Sequence, residues 1–143
     1  MFLFLKHAFT TAPVLVHPNP DIPYVIEADA SDTAIGAVLS QRDKSTGQLH
    51  PIAFLSRTLT DAERNYTVAE KELLAIRAAF MDWRHYVWGA KYPVTVYTDH
   101  RNLQFMGSAR RLSPRQLRWM QFFAEYDFVV TFRPGAENKK ADS

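Results

Sequence analysis

The chain has 143 residues, 47% of them hydrophobic, which suits one domain with one substantial core and is too short for two ordinary ones. It has no cysteine, so disulfides and thiolate–zinc sites are excluded and a reducing compartment is compatible. Formal charge is only +2, yet the signs are segregated. Residues 21–32 carry Asp21, Glu27, Asp29 and Asp32 and no base, whereas residues 101–118 carry Arg101, Arg110, Arg111, Arg115 and Arg118 and no acid. An anionic pocket beside a basic surface fits that pattern, and so does a pair of solvated faces. No apolar run approaches the roughly 20 residues that span a bilayer, and Lys6 and His7 interrupt Met1-Phe2-Leu3-Phe4-Leu5 before signal-peptide length. A soluble domain is expected.

In chain order, residues 2–10 could form a short helix, and Pro18-Asn19-Pro20 reads as an extended lead-in. Tyr24 to Asp29 alternates as a strand, with Tyr24, Ile26 and Ala28 on one face. Ala34–Gln41 and Leu49–Ser56 read as two more strands joined by the charged turn 42–47, giving an antiparallel meander. The clearest helix covers 67–88. Thr67 and Glu70 form a capping box at its start, Gly89 is a plausible stop, and Ala69, Leu73, Ile76, Phe80, Trp83 and Val87 make one apolar stripe. Val94–Thr98 is a fourth strand, Ser113-Pro114 opens a helix to about Tyr126, and Phe128–Arg133 is a fifth strand. Three strands, then helix, strand, helix and strand describe an α/β fold: a five-stranded mixed sheet with flanking helices. The aromatics Trp83, Tyr86, Trp88, Trp119, Phe122 and Phe123 fall at helical spacings expected of core residues.

Two strands end in an aspartate, Asp29 after the first and Asp99 after the fourth. If those strands lie parallel and adjacent, both carboxylates emerge at one carboxyl edge, where open α/β sheets place ligands. Such close like charges repel unless a cation neutralises them, and hard oxygen donors favour magnesium or manganese. Either aspartate alone also reads as a turn former. On the long helix, Glu70 serves the cap, while Glu72 lies about 50° from the centre of the apolar stripe, on the flank of the core-facing surface. A carboxylate there is costly unless paired or metal-bound, which makes Glu72 the functional candidate. Asn138 and Asp142, four apart, would share a face if their segment is helical.

These elements resemble the retroviral-type RNase H domain, most closely the one that follows reverse transcriptase in gypsy-like LTR retrotransposons. The resemblance rests on Asp29-Ala30-Ser31-Asp32 with Gly36-Ala37-Val38-Leu39, Pro51 to Arg57, Glu63-Arg64-Asn65-Tyr66, Glu72-Leu73-Leu74-Ala75-Ile76, Trp83-Arg84-His85-Tyr86, Val96-Tyr97-Thr98-Asp99-His100-Arg101-Asn102-Leu103 and Asn138-x-x-x-Asp142. It covers nearly the whole chain. The resemblance implies an RNase H-like fold and four acidic ligands, Asp29, Glu72, Asp99 and Asp142, for two Mg2+ ions, with Mn2+ able to substitute. It implies cleavage of the RNA strand of RNA–DNA hybrids, a reverse transcriptase polymerase domain in the same polyprotein as partner, and a cytoplasmic virus-like particle as location. Residues 1–22 would be a lead-in from the polymerase side and 23–143 the RNase H domain, clipped in its last helix. Ser31, Asp32, His100, Arg101, Asn102 and Asn138 flank the implied site as substrate-binding candidates, and Arg110, Arg111, Arg115 and Arg118 could track phosphates. Where many relatives carry a mobile histidine before the last aspartate, this chain has Phe132-Arg133-Pro134-Gly135, so turnover is expected to be slow. The competing readings are a non-catalytic or weakly active module of this fold that holds hybrid for the polymerase and, further off, another nuclease such as an integrase or exonuclease.

Overall fold

In a computed structural model of the chain, residues 17–99 and 114–133 are described. Strands β1 (Tyr24–Ala30), β2 (Ala34–Arg42) and β3 (Leu49–Thr58) form the expected meander. Helices α1 (Asp61–Arg64), α2 (Val68–Asp82) and α3 (Arg84–Val87) follow, then β4 (Val94–Thr98), α4 (Pro114–Phe123) and β5 (Phe128–Phe132). The sheet order is β3-β2-β1-β4-β5. The first three strands pair antiparallel, while β4 runs parallel to both β1 and β5. The mixed sheet expected from the order of elements is therefore present. The suggested helix over 2–10 and the residues Arg110 and Arg111 lie outside the described residues.

Helix α2 lies across β1 and β2, and α3 and α4 pack on it. The apolar stripe drives this: Leu73, Ile76 and Phe80 on α2 are buried with Trp83 and Val87 beyond it, against Tyr24, Ile26, Ala28 and Leu39 of the sheet. Phe80 is fully buried at the centre of an aromatic knot, its ring 5.7 Å from Phe123, 4.8 Å from Tyr126 and 5.2 Å from Phe128. One side chain thereby ties α2, α4 and β5 together.

Three local expectations change. The helix over 67–88 is two pieces, because the backbone leaves helical values at Trp83 (φ −108, ψ 24). The buried stripe continues across the break, so hydrophobic periodicity alone does not reveal it. Gly89 takes φ 71, a left-handed value suited to glycine, and turns the chain out towards β4. Trp88 is not in the core: it is 54% exposed, with the Arg84 guanidinium 4.6 Å from its ring centre. Helix α1 was not expected, although Thr60 and Glu63 form the same reciprocal cap as Thr67 and Glu70.

Replacing Phe80 with alanine should lower unfolding free energy by about 3–5 kcal/mol through lost burial and a residual cavity. Val129→Thr, at a site 56% exposed on β5, should change it by less than about 1 kcal/mol. Urea unfolding of both variants measures the contrast.

Candidate metal centre

The parallel register of β1 and β4 sets the site. Val25, Ile26 and Glu27 stand against Thr95, Val96 and Tyr97. The same offset carried to the carboxyl ends places Asp29 beside Asp99. Asp29 belongs to β1 itself, one residue before its end, and lies opposite Gly36 of β2. Glu72 arrives from the N-terminal part of α2, which packs across β1 and β2. One carboxylate oxygen from each of Asp29, Glu72 and Asp99 lies within 4.8 Å of the others.

Burial makes that proximity costly. Asp29 and Glu72 are each only 1% exposed. Burial first, opposed by the Ala30 amide and reinforced by Asp99, pushes the Asp29 carboxyl up to about 7. Burial first, then repulsion from Asp99 and Asp29, pushes Glu72 up to about 9. The polar help is sparse. The Ala30 amide donates to Asp29 Oδ1 at 2.9 Å, and the Thr98 hydroxyl donates to Glu72 Oε2 at 3.4 Å. Asp29 Oδ2 and Glu72 Oε1 are buried with no hydrogen-bond partner among the described residues. Orphaned carboxylate oxygens at convergent positions fit a hard divalent cation, which takes oxygen ligands and neutralises their charge.

The other candidates divide. The cap assignment of Glu70 holds: its amide donates to Thr67 Oγ1 and its carboxylate accepts from the Thr67 amide. That carboxylate also pairs with Arg115 at 3.3 Å, while the Arg115 guanidinium lies 4.0 Å from the Tyr66 ring centre. Arg115 is thus engaged in joining α4 to α2. The Ser31 hydroxyl organises its own turn, accepting from the Thr33 and Ala34 amides and donating to the Ala34 carbonyl. Asp32 is exposed beside it, and its carbonyl accepts from Lys71 Nζ. His100, Arg101, Asn102, Asn138 and Asp142 lie outside the described residues. Sequence reasoning passed over Thr98 and Lys71. Thr98 continues the inward alternation of Val94 and Val96, a signal that could have found it.

A sequence profile described as an RNase H-like domain found in reverse transcriptase matches residues 19–126. The chain belongs to that family. The Tf2-3 and Tf2-4 transposon polyproteins of Schizosaccharomyces pombe are each 36% identical to it over 141 residues, which cover 97% of this chain and 10% of the polyprotein. The domain therefore spans about a tenth of the length of these curated relatives. Among solved structures, it is similar to a foamy viral protease–reverse transcriptase in complex with an RNA/DNA hybrid, with TM-score 0.62 and 22% identity over 92% of this chain and 18% of that one. It is also similar to LC11-RNase H1, a compost metagenome protein, with TM-score 0.58 and 16% identity over 84% of this chain and 90% of that one. These two likenesses establish the RNase H-like fold.

Both raised carboxyls fix the sign of a pH effect. Unfolded, Asp29 and Glu72 ionise near 3.8 and 4.5, whereas the metal-free fold keeps them protonated up to about 7 and about 9. Their contribution to stability is therefore full below about pH 4 and is lost as pH rises to about 9. The metal-free domain should melt at progressively lower temperature between pH 5 and pH 9 on this account, with Mg2+ raising Tm most at the alkaline end. Asp29→Asn and Glu72→Gln should each raise the metal-free Tm at pH 8 by several degrees and weaken the Mg2+ response.

Proposed function

We propose that the domain is a metal-dependent endoribonuclease that hydrolyses the RNA strand of RNA–DNA hybrids during reverse transcription of an LTR retrotransposon of the gypsy-like type. The observation that carries this reading is the convergence of Asp29, Glu72 and Asp99 at one sheet edge in a member of the reverse transcriptase RNase H-like family. Asp29, Glu72 and Asp99 would hold the divalent ions, with Asp142 as a fourth ligand implied by the motif. Once bound, two Mg2+ ions, or Mn2+ in their place, supply a more acidic water and charge stabilisation at the leaving 3′ oxygen of an in-line displacement.

The chain's own contribution is placement. Buried walls around Asp29 and Glu72 keep bulk water from dispersing the charge, and the Thr98 hydroxyl turns one oxygen of Glu72. The turn from Ser31 to Thr33 forms one rim of the cluster. The residues that follow Asp99, namely His100, Arg101 and Asn102, would meet sugar and phosphate along the bound strands, and Asn138 would steady the segment that carries Asp142. Selection of a hybrid over other duplexes then depends on 2′-hydroxyls and backbone shape rather than on base edges. The likeness to polyproteins supports a polymerase domain as the covalent partner; residues 1–22 would be the lead-in from it, and a cytoplasmic virus-like particle would be the setting. A module that holds hybrid without cutting it is the other reading, and the three intact carboxylates weigh against it.

A hybrid labelled on its RNA strand should be cut in Mg2+, with RNA–RNA and DNA–DNA duplexes left whole. Asp29→Asn or Glu72→Gln should slow single-turnover cleavage at least about a thousandfold while retaining the native circular dichroism spectrum. Full activity in either variant would refute the site.

A further inference from the structure

The N-terminal part of α2 carries three consecutive charged residues, Glu70, Lys71 and Glu72, and all three are buried. Successive helical positions diverge by about 100°, so each side chain leaves in its own direction. Glu70 closes the cap and meets Arg115, and Glu72 enters the carboxylate cluster. Lys71 goes to the β1–β2 turn, where its Nζ donates to the Asp32 carbonyl at 3.4 Å.

That single long bond leaves the ammonium poorly matched. Lys71 is 9% exposed, and among the described residues no carboxylate lies within ion-pair distance of it. An ammonium carries three donors, and a buried cation with one neutral acceptor is costly unless an anion completes its surroundings. Neither flanking glutamate does so. The turn that holds the ammonium begins at Ser31, two residues after Asp29, and the three residues of chain from Asp29 to Asp32 reach at most about 10 Å. Lys71 therefore lies close to the acidic cluster, next to Glu72 in the chain and held on the turn that follows Asp29.

We propose that Lys71 is a binding residue for a backbone phosphate of the nucleic acid, one that neighbours the phosphate placed at the carboxylate cluster. The Asp32 carbonyl holds the ammonium in position and leaves its other N–H groups to serve the anion. Lys71 contributes charge to the strand and takes no part in metal coordination. The inference rests on the nucleic-acid reading above.

The test uses the whole chain with an RNA–DNA hybrid carrying a fluorophore, with Ca2+ replacing Mg2+ to hold cleavage down. Fluorescence anisotropy is measured between 50 and 200 mM salt. Lys71→Met and Lys71→Gln keep the buried stem without its charge, and Lys71→Arg restores the charge. Both neutral variants should bind about tenfold more weakly, and the slope of log affinity against log salt should fall by about one. Lys71→Arg should recover the slope. Calorimetric affinity for Mn2+ without nucleic acid should be unchanged in all three variants. A lower melting temperature with an unaltered salt slope would make Lys71 a structural residue and overturn the proposal. If the unsubstituted domain itself neither binds nor cuts hybrid, the parent reading falls as well, so the two failures are distinguishable.

Discussion

The parallel pairing of β1 with β4 is the constraint on which the rest of the site depends. It sets Asp29 and Asp99 side by side at one sheet edge, and α2 then brings Glu72 onto them. Three carboxylates in that position oppose the fold that gathers them, as the upward displacement of Asp29 and Glu72 records. The aromatic knot around Phe80 and the apolar stripe of α2 supply the burial that offsets this repulsion. Core and site are thus opposed parts of one helix: its middle stabilises the domain, and Glu72 near its start strains it.

The N-terminal part of α2 shows how closely packing and chemistry are interleaved. The Thr67–Glu70 cap fixes where α2 begins, and its beginning fixes which residue reaches the sheet edge. A shift of one residue would send Lys71 or Leu73 towards the two aspartates. Arg115 adds a second restraint by drawing the start of α4 onto Glu70 and Tyr66. The residue chosen for the cap and the residue chosen for the site therefore depend on each other.

Much of this was legible in the sequence, for identifiable reasons. Period-two alternation marks β1 and β4, and their terminal aspartates mark the edge. The helical projection separates Glu72 from Glu70 before any contact is known. Both inferences use local geometry, which the chain states directly. The break at Trp83 was hidden because the buried stripe runs through it, and the exposure of Trp88 depends on where the second piece leaves the core. Lys71 was hidden for another reason: its partner is a backbone carbonyl 39 residues away, and no side-chain pattern announces such a contact. The assignment of Asp142 rests on motif alone, because the described residues end at Arg133.

The central claim is that Asp29 and Glu72, drawn together with Asp99, hold protons that a divalent cation displaces. Proton release on Mg2+ binding tests it most directly, by titration calorimetry in buffers of different ionisation enthalpy. The account predicts release of about one proton or more per domain at pH 7, falling away above about pH 9, where both carboxyls are already ionised. Binding without proton release across that range, or no binding at all, would contradict it.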